Sequence, residues 1–362
     1  MNDKRLTIAL VICALLLLSF SLEQDSVEIA HSNREIKAKA AFVSTVSVDA
    51  HQADKHASNN TQSEFVYSHR QTEFLSPYHW VRYKLNADAC KAPDLGKVED
   101  GDSINPFDFF ELNIEGDGVS QAFLEKLERR LMLVFRLYGV LIGNENLRRV
   151  ALNLTVYKQS EDYESYVETI APERTDSLGI YSRKTISASI RYNNESQAIE
   201  TSIHESVHAI THALIGATPR WLNEGLAVYF ERIGGSLDEP VVSYNAGWVK
   251  EDMSLRYDSI DFWQLAGMES VWNNGTRPEI LSLYANSWHW LYFFMSSNDR
   301  VHALQRLIRT ERKLPCTVMD ESEILELLNT AIPNFEVDFL RWEESPLEQS
   351  QGFSFQVTEA NK

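Results

Sequence analysis

The chain has 362 residues, with 34 Lys and Arg against 52 Asp and Glu and a formal net charge of −18. That balance excludes a nucleic-acid-binding role, which needs basic surface, and its field disfavours acidic substrates. It suits a soluble exported protein, and the roughly 285 residues beyond position 76 suffice for one two-lobed catalytic unit or two small domains.

Lys4 and Arg5 precede an apolar stretch from Leu6 to Leu22, broken only by Thr7, Ser19 and Ser21. Residues 1–22 therefore read as a secretory signal, with a charged and then an apolar region. At about 17 residues the stretch also meets the lower limit of a membrane span, so an uncleaved anchor in an inner membrane is the alternative. Either way the rest of the chain is expected outside the cytoplasm, in a periplasm or beyond the cell. Cys13 follows Ile12 rather than a small residue, which argues against lipid attachment. Residues 23–76 are polar and without sustained periodicity, the pattern of a flexible linker. His31, His51, His56 and His69 fall in it and read as solvated rather than ligating. Residues 77–115 hold aromatic and turn residues and predict short strands packed on the core. Once a signal is removed only Cys90 and Cys316 remain, and an oxidising compartment would let them pair.

Between residues 77 and 245 the periodicity is clear. Phe123, Leu127, Leu131, Val134 and Tyr138 recur at helical spacing. Val150, Leu152, Leu154 and Val156 alternate as a strand does. Glu161 to Ile170 predicts a helix closed by Pro172. Ile186, Ala188, Ile190 and Tyr192 alternate with Ser187, Ser189 and Arg191, which marks a half-buried strand. Asn194 then offers an N-cap, with Gln197 three residues on as in a capping box. Ile199, Ile203, Val207, Ile210 and Leu214 form one buried stripe of the helix that follows.

That helix carries His204-Glu205-Ser206-Val207-His208, an HExxH motif. Residues four apart on a helix share a face and lie about 6 Å apart along the axis, so two imidazoles there can grip one zinc ion. The glutamate between them can take a proton from a zinc-activated water. Gly216 stops the helix, and Thr218-Pro219 reads as a new N-cap with proline first in the next helix. His208 lies roughly 10 Å before the helix end, and Glu224 roughly 9 Å into the second helix. A tight turn would return Glu224 to the level of His208, which favours it as third ligand. Gly225 beside it costs a helix about 1 kcal/mol relative to alanine, and close approach of helices is one use for it. His212 continues the four-residue series but would sit about 12 Å along the axis from His204, so a packed or orienting histidine is the better reading.

The run from Trp221 to Tyr229, W-L-N-E-G-L-A-V-Y, together with HExxH, resembles the peptidase-MA-like gluzincins, zinc metallopeptidase-like proteins of bacteria. The resemblance covers roughly residues 119–300. It extends upstream to Gly179-Ile180-Tyr181 and downstream to Tyr284-Ala285-Asn286-Ser287-Trp288. It implies a zincin-like α+β core, a small mixed sheet plus the HExxH helix, with His204, His208 and Glu224 on zinc and Glu205 as general base. It suggests that Tyr284, on a helix from about Glu279 to Ser296, donates to the developing oxyanion, with Tyr181 and His289 as runners-up. It also implies that the strand at 186–192 pairs with extended substrate. Relatives often carry an aspartate four residues after the glutamate ligand to orient a histidine. Here that position is Val228, so the orienting carboxylate is unidentified. Gly267-Met268-Glu269-Ser270 is similar to an aminopeptidase motif but lies on the wrong side of HExxH, and reads as chance.

Gly234-Gly235 breaks the chain, and residues 246–345 predict a helical C-terminal lobe before a tail at 346–362. Leu304, Leu307 and Ile308 mark one helix; Ile324, Leu325, Leu327 and Leu328 a second; Phe335, Phe339 and Trp342 a third. The expected activity is zinc-dependent hydrolysis of peptide bonds in peptide or protein substrates. The alternative is a catalytically silent peptidase-like module tethered to a membrane. The intact set of Glu205 and three ligands disfavours it.

Overall fold

The structure, a computed structural model, describes residues 66–69, 81–84, 90–97, 106–116, 119–250, 255–345 and 350–354. The apolar segment 6–22 and the linker histidines His31, His51 and His56 lie outside the described residues. Among the described residues no helix is long and apolar enough to cross a membrane.

The class is α+β, as the periodicities predict. In chain order the strands are β1 (Val66–His69), β2 (Val81–Lys84), β3 (Phe110–Gly116), β4 (Val150–Tyr157), β5 (Gly179–Ser182), β6 (Ser187–Arg191), β7 (Ile233–Gly235), β8 (Pro240–Ser243), β9 (Thr317–Val318) and β10 (Ser350–Gly352). The helices are α1 (Gln121–Ile142), α2 (Ser160–Ile170), α3 (Glu195–Leu214), α4 (Arg220–Phe230), α5 (Phe262–Gly267), α6 (Glu269–Asn274), α7 (Arg277–Phe294), α8 (Asn298–Lys313), α9 (Glu321–Ala331) and α10 (Phe335–Glu343).

The main sheet has the order β3-β4-β6-β5. β3, β4 and β6 are parallel, joined through α1 and α2, and β5 is antiparallel to β6. β4 buries Val150, Leu152, Leu154 and Val156 on one face, as its alternation requires. α3 packs across β4, β5 and β6 and against α1. The strand at 186–192 does not have the free edge expected of it. As β6 it is paired on both sides, so its backbone groups are spent, and the edge strand on that side of the sheet is β5. β5 escapes sequence reading because four residues show no alternation.

Other boundaries shift for equally physical reasons. Part of the expected linker forms β1, which pairs with β2 from Val66↔Lys84 to His69↔Val81. Part of the expected tail forms β10, which pairs with β8. α4 begins at Arg220 with Pro219 as its N-cap, one residue later than the Thr218 cap predicted. No packing break falls at 245/246, because one buried cluster runs from Ala92 to Phe339. Its centre is the C-terminal half of α7, where Trp288, Trp290, Leu291, Tyr292, Phe293 and Phe294 are all buried. α10 closes that cluster by stacking Phe339 on Trp290, with ring centroids 3.6 Å apart.

Gly225 of α4 makes the close approach, but to α7 rather than α3. A Cβ there would lie 2.6 Å from Leu291 Cδ2 and 2.9 Å from the Ser287 carbonyl oxygen. Cys90 and Cys316 form a disulfide. It clasps the end of α3: Ala92 N–H donates to the His212 carbonyl, and Pro315 packs on Gly216, whose φ of +107° suits glycine.

Candidate metal centre

α3 starts as its sequence predicts, with the Asn194 side chain accepting from Gln197 N–H. Its stripe of Ile199, Ile203, Val207, Ile210 and Leu214 is buried, and His204 and His208 lie beside that stripe. Their rings lie one turn apart, with centroids separated by 4.8 Å. After the Gly216 turn α4 runs back along α3 and delivers Glu224.

One Glu224 oxygen, Oε2, lies 3.6 Å from His204 Nε2 and 3.3 Å from His208 Nε2. The three ligand atoms fall within 4.8 Å of one another. Glu224 Oε2 and His208 Nδ1 are buried, and neither makes a hydrogen bond with a described residue. A tetrahedral zinc ion with bonds of about 2.0–2.1 Å holds neighbouring ligand atoms about 3.3–3.4 Å apart. The two imidazole-to-carboxylate distances match that spacing, and an orphaned buried carboxylate oxygen between two ring nitrogens is what a cation would satisfy. The residues therefore fit a divalent metal. Burial alone would push His204 down and Glu224 up. The carboxylates of Glu224 and Glu231 outweigh burial at His204, and the imidazoles outweigh it at Glu224. The histidine is held well above its ordinary value and the glutamate well below.

The carboxylate against His204 is that of Glu231, the C-cap residue of α4. Its Oε2 lies 3.2 Å from His204 Nδ1, and its Oε1 accepts from Asn245 Nδ2 at 2.6 Å. Asn245 follows β8, and its Oδ1 accepts from Gly247 N–H at 2.9 Å, which sets the amide's orientation. Glu231 was missed because it sits seven residues after Glu224, not four, yet two turns of helix keep it on the same face.

Glu205 is buried beside the ligands, and burial, partly offset by the two histidines, raises its carboxyl. Gly179 of β5 lies against it: a Cβ there would be 2.8 Å from Glu205 Oε1 and 2.5 Å from Thr201 Cγ2. The edge strand thus runs directly over the predicted general base. Tyr284 on α7 is half-buried, with its ring 6.4 Å from that of His204 and edge-on to Trp272 at 5.1 Å. Burial, followed by the charge of Glu224, pushes its hydroxyl far up, so it stays protonated and able to donate.

The structure separates the remaining candidates from the trio. His212 is buried and does not join the ligand group; the Tyr181 hydroxyl lies 3.0 Å from its Nδ1, which occupies that runner-up donor. His289 is enclosed by Phe339 and Trp342, each 5.2 Å away between ring centroids, on the side of α7 that α10 covers. Asn286 pins the loop before α5, accepting from Ile260 N–H and donating to the Asp258 carbonyl. Glu269, at the start of α6, lies 3.9 Å from Arg220. No family model matches the chain, and no curated protein sequence matches it.

Proposed function

We propose that the protein is a zinc-dependent peptidase with a zincin-like core of the gluzincin type, exported from the cytoplasm and acting on peptide or protein substrates. The observation that carries the reading is the convergence of His204, His208 and Glu224 within metal-binding distance beside a buried glutamate. His204, His208 and Glu224 would hold the zinc ion, which would supply a Lewis acid to acidify a water and polarise a carbonyl.

The chain's own residues do the rest. Glu205 takes the proton of the attacking water and hands it to the leaving amine, and its raised carboxyl brings donor and acceptor strengths closer to neutrality. Tyr284 donates to the oxyanion that develops on the scissile carbonyl. Glu231 accepts from His204 Nδ1, which directs Nε2 into the site. The free edge of β5 pairs with extended substrate backbone, strand to strand, and draws the peptide across Glu205.

Zinc content per chain, measured for the parent, Glu224→Ala and Glu205→Gln, tests this directly. About one zinc per parent chain, lost in Glu224→Ala and kept in Glu205→Gln, is expected. Peptide cleavage should vanish in Glu205→Gln while its thermal unfolding stays that of the parent. A folded parent chain without zinc would sink the reading.

A further inference from the structure

The net charge of this protein is negative, yet two guanidinium groups, those of Arg183 and Arg220, couple electrostatically to Glu269 beside the metal site, and Arg183 also to Glu224. Gly179 and Tyr181 of β5 both face α3, the first against Glu205 and the second against His212. Arg183 follows in the turn at 183–186 that joins β5 to β6. It is half-buried and makes no hydrogen bond or ion pair with any described residue. Arg220, at the start of α4, is bonded to Asn273 and faces Glu269.

The charges do not balance at this end of the cleft. Beyond burial, Arg183 feels Tyr181, Arg220, Glu224 and Glu269. Glu224 is committed to the metal ligand set, and Glu269 faces Arg220. One guanidinium is left half-desolvated without an anion, and such groups are normally paired. A planar fork of donors at the end of a substrate-pairing strand matches a carboxylate bidentately.

We infer that Arg183 binds a carboxylate of the substrate a short distance along β5 from the scissile bond, so that the site selects acidic peptides despite the protein's net charge. The carboxylate is either a peptide's own C-terminus or an Asp or Glu side chain. This rests on the peptidase reading for the direction of the substrate, and its test does not require cleavage.

The full zinc-loaded chain carrying Glu205→Gln is titrated calorimetrically with two kinds of matched peptide. One pair is a blocked tripeptide with a free or an amidated C-terminus. The other set is a blocked, amidated hexapeptide with Glu or Gln at each position in turn. In one kind the acid should bind roughly 10- to 100-fold more tightly than its neutral match, the span of a charge-assisted hydrogen bond. Which kind responds identifies the source of the carboxylate. Adding Arg183→Gln should collapse that ratio toward one, and Arg183→Lys should restore part of it, with zinc content unchanged in both. Absence of any acid preference, or a preference that survives Arg183→Gln, overturns the inference. If the parent cuts no peptide but the ratio still collapses, the peptidase reading fails and the inference stands. If peptides are cut without acid preference, the inference fails alone. If no peptide binds, both fail.

Discussion

Replacing Glu231 with glutamine tests whether the site is built as a metal centre. Glu231 accepts from two donors, His204 Nδ1 at 3.2 Å through Oε2 and Asn245 Nδ2 at 2.6 Å through Oε1. Glutamine has the same shape but only one acceptor oxygen. Asn245 cannot turn over to help, because its Oδ1 is held by Gly247 N–H. Glu231→Gln must therefore either set amide against amide at Asn245 or leave His204 facing an N–H. Both lower the basicity of His204 and loosen its ring, and losses of this kind cost about 10- to 100-fold in metal affinity, or about 1.4–2.7 kcal/mol. Competition with a chromogenic chelator on the full chain reads the change. Adding Asn245→Asp supplies an acceptor for the new amide and frees its oxygen for His204, so the double variant should recover much of the loss. Affinity within twofold of the parent in Glu231→Gln, or no recovery in the double variant, would refute the reasoning.

The remaining predictions address chemistry and stability. Tyr284→Phe should lower turnover by about 10²- to 10³-fold with zinc content unchanged, and near-normal turnover would remove Tyr284 from the mechanism. Gly179→Ala places a methyl group 2.8 Å from Glu205 Oε1, so either β5 or the glutamate must move. Turnover should fall by about 10- to 100-fold while zinc stays bound, and an unchanged rate would mean that β5 is not apposed to Glu205 as described. His289 is buried without a hydrogen-bond partner among the described residues, and burial lowers its pKa to about 3. It is neutral in the fold, so its contribution to stability is complete above the unfolded value near 6.5 and is lost as pH falls from there toward 3. At pH 4.5 the loss is about 2–3 kcal/mol, moderated by Glu343, 3.7 Å from Nδ1. Denaturant midpoints of the parent and His289→Leu should converge or cross on acidification; parallel curves would contradict this.

The helix hairpin was legible because everything that defines it is local. The Asn194 cap, the stripe from Ile199 to Leu214 and the break at Gly216 each act over a few residues, and helical rise alone returns Glu224 to His208. The sheet was legible only in part. β4 announces itself by alternation, and Phe110, Leu112 and Ile114 of β3 carry the same signal in a segment read only as short strands. The order β3-β4-β6-β5 depends on pairings between distant residues, so the free edge was assigned to β6 when it belongs to β5. Gly179 held the missed clue: a glycine within a strand marks close approach of other atoms, and here the atoms are those of Glu205.

Glu231 and Arg183 show where a physical reading of sequence can go further than motif spacing. A carboxylate at the C-terminal end of a helix opposes the macrodipole by about 0.3–1 kcal/mol, so Glu231 is locally unfavourable and calls for a compensating partner. That partner is His204, held one step from the ligand set. Arg183 is the converse case, a cation half-withdrawn from water that forms no ion pair with a described residue. Both break a local rule beside the same three ligands. Proteins concentrate such exceptions where function requires them. The first exception is resolved by a residue of the chain. The second leaves room for a group that the substrate brings.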